Sequence, residues 1–152
     1  MKQLKFSFIV IALSATLAGC MSAKPSSGLQ DDHAQDSIYF LRQKPSDAPS
    51  LLAPLEGKLV LSKACLRIQS SDGGAGYTAL WPFEFSLAVQ SGNVQILNGN
   101  KNVVAQVGDQ IRVSGGEANI SPEEFEENVI GTATQCTAPY WRVNNDVEVV
   151  AP

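Results

Sequence analysis

The chain has 152 residues, the length of a single domain, and its 15 acidic residues against 11 basic ones leave a net charge of −4. That charge argues against a nucleic-acid partner, because attraction to phosphate supplies most non-specific affinity there. One histidine, His33, and three cysteines, Cys20, Cys65 and Cys136, give little material for a histidine-dependent active site or a zinc centre, so neither metal nor cofactor is expected.

The first predicted element is a targeting segment over residues 1–19. Lys2 and Lys5 lie in the first five residues with no acid, and Phe6 to Ala18 is apolar apart from Ser7, Ser14 and Thr16. A basic start, a short apolar run and a small-residue exit make a secretory signal peptide. The run falls short of the roughly 20 apolar residues that a membrane-spanning helix needs.

The exit, Leu17-Ala18-Gly19-Cys20, resembles the lipobox of bacterial lipoproteins. That resemblance implies cleavage just before Cys20, a thioether from Cys20 to diacylglycerol, and acylation of the new amine, palmitate being a typical chain. It implies residence on a membrane facing the periplasm. In Gram-negative members of the family an Asp after the cysteine commonly holds the protein at the inner membrane; Met21 stands here, so the outer membrane is implied. An ordinary signal peptide with a chance cysteine is the alternative. The signal carries two lysines and no acid, so the remainder carries −6. Its membrane contact is therefore expected from the lipid, several chains anchoring stably where one binds only marginally.

With lipid on Cys20, an even pair of cysteines remains. In an oxidising compartment this points to a Cys65–Cys136 disulfide, worth about 4 kcal/mol in the chain-entropy account. Two buried free thiols, or one reactive thiol, are the other readings.

Residues 20–54 read as the lipidated cysteine and a flexible tether. Four of the eight prolines, Pro25, Pro45, Pro49 and Pro54, fall here among many Ser, Asp and Gln residues. Such composition buries too little apolar surface to offset chain entropy. As a coil it would reach ~30 Å. The island Ile38-Tyr39-Phe40-Leu41 is either a strand docking on the domain, the favoured reading, or a sticky segment for a partner.

Residues 55–152 read as the folded domain, β throughout. Leu59-Val60-Leu61 and Cys65-Leu66-Arg67-Ile68 are short strands around Ser62-Lys63-Ala64, and Ser70 to Gly76 is a loop. Tyr77, Ala79, Trp81, Phe83, Phe85, Leu87 and Val89 share one parity, which predicts a half-buried strand with Leu80 and Ala88 as exceptions. Pro82 predicts an edge or a sharp bend in it. Ser91-Gly92-Asn93 and Asn98-Gly99-Asn100 are hairpin turns around Val94 to Leu97. Val103, Ala105 and Val107 alternate, and Ile111 and Val113 resume the parity until Gly115-Gly116 is expected to end the strand. Ser121-Pro122-Glu123-Glu124 predicts a capped helix to about Asn128. Trp141, Val143, Val147 and Val149 form the last strand, broken near Asn144-Asn145. The expected fold is all-β: a small barrel of OB, SH3-like or Greek-key type, or a sandwich, with one short helix over 122–128. The order Cys-Leu-Arg-Ile, Trp-Pro, Val-Gly-Asp, Pro-Tyr-Trp faintly resembles bacterial secreted domains, and that resemblance implies no activity.

No catalytic residue stands out. The domain lacks histidine, and Asp72-Gly73-Gly74-Ala75-Gly76 lacks the Lys-Ser/Thr ending of a phosphate loop. Glu123, Glu124, Glu126 and Glu127 read as a solvated helix face rather than a calcium site. Glu84, Asp109 and Glu117 are the carboxylates that a glycosidase-like site would draw on. The aromatics Tyr77, Trp81, Phe83, Phe85, Tyr140 and Trp141 read as core rather than as a sugar or peptide platform. Arg67 and Arg142 are expected to meet surface acids. Thr78, Glu84, Ser86, Gln90, Gln106 and Arg112 form the expected polar outer face. The expected function is a non-catalytic binding or structural module of the cell envelope, with an envelope protein or glycan as partner. A small hydrolase using carboxylates, and an oligosaccharide-binding barrel, are the alternatives.

Overall fold

The computed structural model describes residues 38–47, 49–70, 74, 76–132 and 135–150. The signal peptide, Cys20 and the first part of the tether lie outside the described residues. The strands are β1 (Arg42–Gln43), β2 (Ala53–Ser62), β3 (Cys65–Ser70), β4 (Tyr77–Leu80), β5 (Ser86–Gln90), β6 (Asn93–Leu97), β7 (Val103–Gln106), β8 (Gln110–Ala118), β9 (Val129–Ile130) and β10 (Tyr140–Val149), with helix α1 (Pro122–Asn128) before β9. Strands β2, β3, β4, β10 and β8 close a barrel in that order. Numbered along the chain, its five strands run 1-2-3-5-4 around the wall, and 3 beside 5, that is β4 beside β10, is a parallel pair. This is a Greek-key barrel of the OB type. Two small sheets accompany it, the meander β5–β6–β7 and the ribbon β1–β9.

Local chemistry sets the turns. Lys63 and Ala64 both take positive φ in the two-residue link from β2 to β3, and Ser91 and Gly92 do the same between β5 and β6. Two consecutive positive φ values give the turn whose twist matches paired strands. The Asn98 carboxamide oxygen accepts from the amides of Asn100 and Asn102, closing the link from β6 to β7. The expected cap of α1 is present in full. Ser121 Oγ accepts from the Glu124 amide, and Glu124 Oε2 accepts from the Ser121 amide.

The single strand expected over 77–89 is two strands. Pro82 turns the chain between β4 and β5, and the Phe85 amide donates to its carbonyl. Trp81 and Phe85 stay buried, while Phe83, expected in the core, is 47 % exposed at the bend. The expected end of a strand at Gly115-Gly116 also moves, because β8 runs on to Ala118. A Cβ at Gly115 would collide with the Arg142 carbonyl and lie 2.7 Å from Trp141 Nε1, so glycine lets β8 and β10 close on each other. Gly116 in turn lies under the Leu51 side chain.

The core has two layers. Inside the barrel, Leu59, Ile68, Ala79, Trp81, Ile111, Trp141 and Val143 pack together, joined by Phe85 from the bend and by Ile96 and Ala105 from the meander. Outside it, Leu41, Cys65, Leu80, Phe125, Val129, Cys136 and Tyr140 make a second cluster over the β4–β10 pair. Strand β4 is thus covered on both faces, which explains why Leu80 departs from simple alternation. It also corrects the place of Thr78, expected on the wet face but only 1 % exposed. Burial of its hydroxyl is tolerated because Oγ1 donates to the Thr137 carbonyl and accepts from Arg67.

The second layer moves the domain boundary. Ile38 to Leu41 dock on the domain, as favoured, and residues 42–44, expected in the tether, join the folded unit with them. Leu41 is 2 % exposed, the Tyr39 amide donates to the Ala64 carbonyl, and Leu41 and Gln43 exchange backbone hydrogen bonds with Trp81. Phe40, Trp81 and Phe85 stack in sequence, with centroids 6.1 Å and 6.2 Å apart. Strand β2, expected over Leu59 to Leu61, begins at Ala53, two residues before the expected start of the domain.

Candidate functional site

Cys65, at the head of β3, and Cys136, just ahead of β10, are joined by a disulfide with Cα atoms 5.6 Å apart. It pins the segment before β10 to the barrel wall. Beside it, the Arg67 guanidinium donates to Thr78 Oγ1 and to the carbonyls of Gly76 and Thr137. Tyr140 Oη donates to the Cys136 carbonyl in the buried layer, and burial raises the Tyr140 pKa. These groups are structural: each polar atom is spent on holding one loop.

The three nominated carboxylates are dispersed. Asp109 Oδ2 accepts from the Gln106 amide and shapes the turn before β8. Glu117, on β8, accepts from Tyr77 Oη at 3.3 Å. Glu84 stands at the bend after β4, in a cleft that neither of the others lines. The acids of α1 face solvent, and among the described residues no group of three or more His, Cys, Asp or Glu side chains is placed to hold a metal. Of the aromatics, Tyr77 and Trp141 meet edge to face at 5.2 Å inside the barrel, and Phe125 and Tyr140 meet at 5.5 Å in the outer layer. Arg112 pairs with Glu56 and Glu148 on the surface, a contact worth little.

The cleft that Glu84 lines has a clear origin. Strands β4 and β10 pair in parallel as far as Leu80 and Arg142. Beyond that point β4 turns away at Pro82, and β10 enters a bulge between Val143 and Val147. The strands therefore part, and residues 43–46 and 49–51 line the gap. Gln43 Nε2 donates to the carbonyls of Leu80, at 2.9 Å, and Val143, at 2.7 Å, replacing the ladder with one side-chain amide. Asn144 Nδ2 holds the far end through the Leu51 carbonyl. Lys44 is held by its amide on the Asn128 carbonyl and by Nζ on the Glu126 carbonyl.

The space left is about 260 Å³ and is lined by Lys44, Phe83, Glu84, Arg142 and Asn145 among others. A further 30 Å³ continues towards Val129, again along Arg142. Two cations against one acid give the cleft a positive balance on an acidic chain. Arg142 reaches far enough to help hold the Glu124 carboxyl below its usual range, the larger cause being the hydrogen bonds from Ser121. Its guanidinium nevertheless makes no hydrogen bond or ion pair among the described residues, and the same holds for the Glu84 carboxylate and the Asn145 amide. Phe83 forms the rim, with the Arg42 guanidinium 5.8 Å from its ring centroid and Arg42 Nη1 on its carbonyl.

Compared with known proteins, the chain matches no family model, no curated protein and no solved structure. The geometry stands alone. Sequence reasoning reached Glu84, Phe83 and Arg142 singly, and missed Gln43 and Lys44. The signal that marks Gln43 and Lys44 is their place directly after the docking island Ile38 to Leu41.

Proposed function

We propose that this protein is a lipid-anchored module of the bacterial cell envelope that acts by binding rather than by catalysis. Cys20 carries the lipid and the barrel faces the periplasm from the outer membrane. The lipobox-like Leu17-Ala18-Gly19-Cys20 supports the anchor. One observation carries the binding reading: Arg142, Glu84 and Asn145, whose side chains make no hydrogen bond or ion pair among the described residues, line one cleft, while Asp109 and Glu117 lie outside it. Paired acids on the two sides of a scissile bond are what carboxylate hydrolysis requires. A partner in the envelope, glycan or protein, meets the cleft and its rim, and the lipid keeps the module near it at high effective concentration.

Two experiments test this. Cys20→Ser is expected to abolish incorporation of radiolabelled palmitate; undiminished labelling removes the anchor from the account. Asp109→Asn and Glu117→Gln are each expected to restore the envelope phenotype of a deletion strain. Failure of either variant, with export and folding intact, makes a carboxylate hydrolase the better reading.

A further inference from the structure

We propose that the cleft between the parted ends of β4 and β10 binds a saccharide residue bearing a carboxylate. This rests on the binding reading above and names its site and ligand class.

The argument starts from Arg142. It lies where the parallel pair ends, half-buried at the border of the outer apolar layer, and its guanidinium is free of hydrogen bonds among the described residues. A half-buried guanidinium has given up part of its hydration and keeps its donors for a ligand. A planar fork of five donors matches a carboxylate in bidentate fashion. Lys44, held in place by two backbone carbonyls, adds a second positive residue to the lining.

The rest of the lining selects a sugar. Glu84 and Asn145 offer an acceptor pair and an amide, neither committed elsewhere, and vicinal hydroxyls need such mixed donors and acceptors. Phe83 presents an exposed ring at the rim, and Arg42 and the Pro82 bend hold it in position. A ring of this kind packs against the C–H face of a pyranose. The Glu84 carboxylate repels a bare anion, so the cleft favours a ligand whose charge sits at one end and whose hydroxyls sit at the other. At about 260 Å³ the cleft lies just below the usual range for small-molecule sites, which suits one sugar residue or the end of a longer chain.

The test uses the mature exported protein in detergent, labelled with ¹⁵N. The probes are glucuronic acid and N-acetylmuramic acid, with glucose and N-acetylglucosamine as neutral parents and inorganic phosphate as a bare anion. At least one acidic sugar is expected to shift the Asn145 side-chain amide and the Arg142 Nε–H resonance, with both neutral parents weaker by about tenfold, the value of one charged hydrogen bond. Arg142→Gln is expected to lose that preference while keeping the spectrum of the barrel. Arg142→Lys, which keeps the charge but not the fork, should fall between, and Arg112→Gln should change nothing. Equal binding of neutral and acidic sugars overturns the role of Arg142. Binding of phosphate as tightly as the sugars overturns the saccharide. If no probe moves the cleft while Asp109→Asn and Glu117→Gln still complement, the cleft assignment fails and the binding reading survives it.

Discussion

Removing the disulfide is the perturbation whose size follows most directly from the fold. The bridge spans a sequence separation of 71 residues. In the chain-entropy account a loop of that length contributes about 4 kcal/mol. Both cysteines are also buried in the outer layer, Cys65 at 3 % exposure and Cys136 at 1 %. Replacing each by alanine leaves a space near the size of a methyl group, which adds ~1 kcal/mol per site. The Cys65→Ala/Cys136→Ala protein should therefore lose roughly 5–6 kcal/mol, a large part of the 5–15 kcal/mol typical of a domain. Urea unfolding followed by tryptophan fluorescence is the assay, since Trp81 and Trp141 are both buried in the barrel. With a slope of about 1–3 kcal/mol per molar, the midpoint should fall by roughly 2 M or more. Wild-type protein unfolded with reductant should come close to the double variant, lacking only the packing loss. If oxidised and reduced protein unfolded at the same urea concentration, the clamp between β3 and the segment before β10 would contribute nothing, and the reasoning would be wrong.

Other outcomes follow from single contacts. Leu41→Ala should cost about 2–5 kcal/mol in the same urea assay, because Leu41 is a buried member of the outer layer; a change near zero would return residues 38–44 to the tether. Gly115→Ala should destabilise by about 3 kcal/mol or more, since its Cβ meets the Arg142 carbonyl, while Gly92→Ala meets no atom and should show only the smaller strain of its positive φ. Glu124 has its folded pKa lowered by hydrogen bonds from Ser121, so its contribution is present above the unfolded value and fades as pH falls through the folded one. Stability of wild type relative to Glu124→Gln should accordingly shrink on acidification below about pH 4.5, and a difference that grew there would contradict the capping box.

Much of the fold was legible because its rules are local. The turns at Ser91-Gly92 and Asn98 to Asn100, the cap at Ser121 and the break near Asn144 each depend on neighbouring residues, and each is found as read; the Cys65–Cys136 pair followed from cysteine count instead. What escaped depends on a second layer that periodicity cannot see. A strand covered on both faces no longer alternates, so Thr78 read as wet and Leu80 as an exception. Gly115-Gly116 read as a stop because what needs their lack of a side chain is distant in sequence: Trp141 and Arg142 against Gly115, and Leu51 against Gly116. The docking of Ile38 to Leu41 was legible, but the proline-rich stretch around it hid Gln43 and Lys44, whose role appears only where β4 and β10 part.

The most direct measurement is in living cells. A photo-crosslinking amino acid placed at Asn145, inside the cleft, is compared with one at Val103, exposed on β7 and outside it. The account predicts a defined adduct with an envelope component from position 145 and none from 103, lost when Arg142→Gln is added. No adduct from 145, or equal capture at both positions, would contradict a module that works by contact through this cleft.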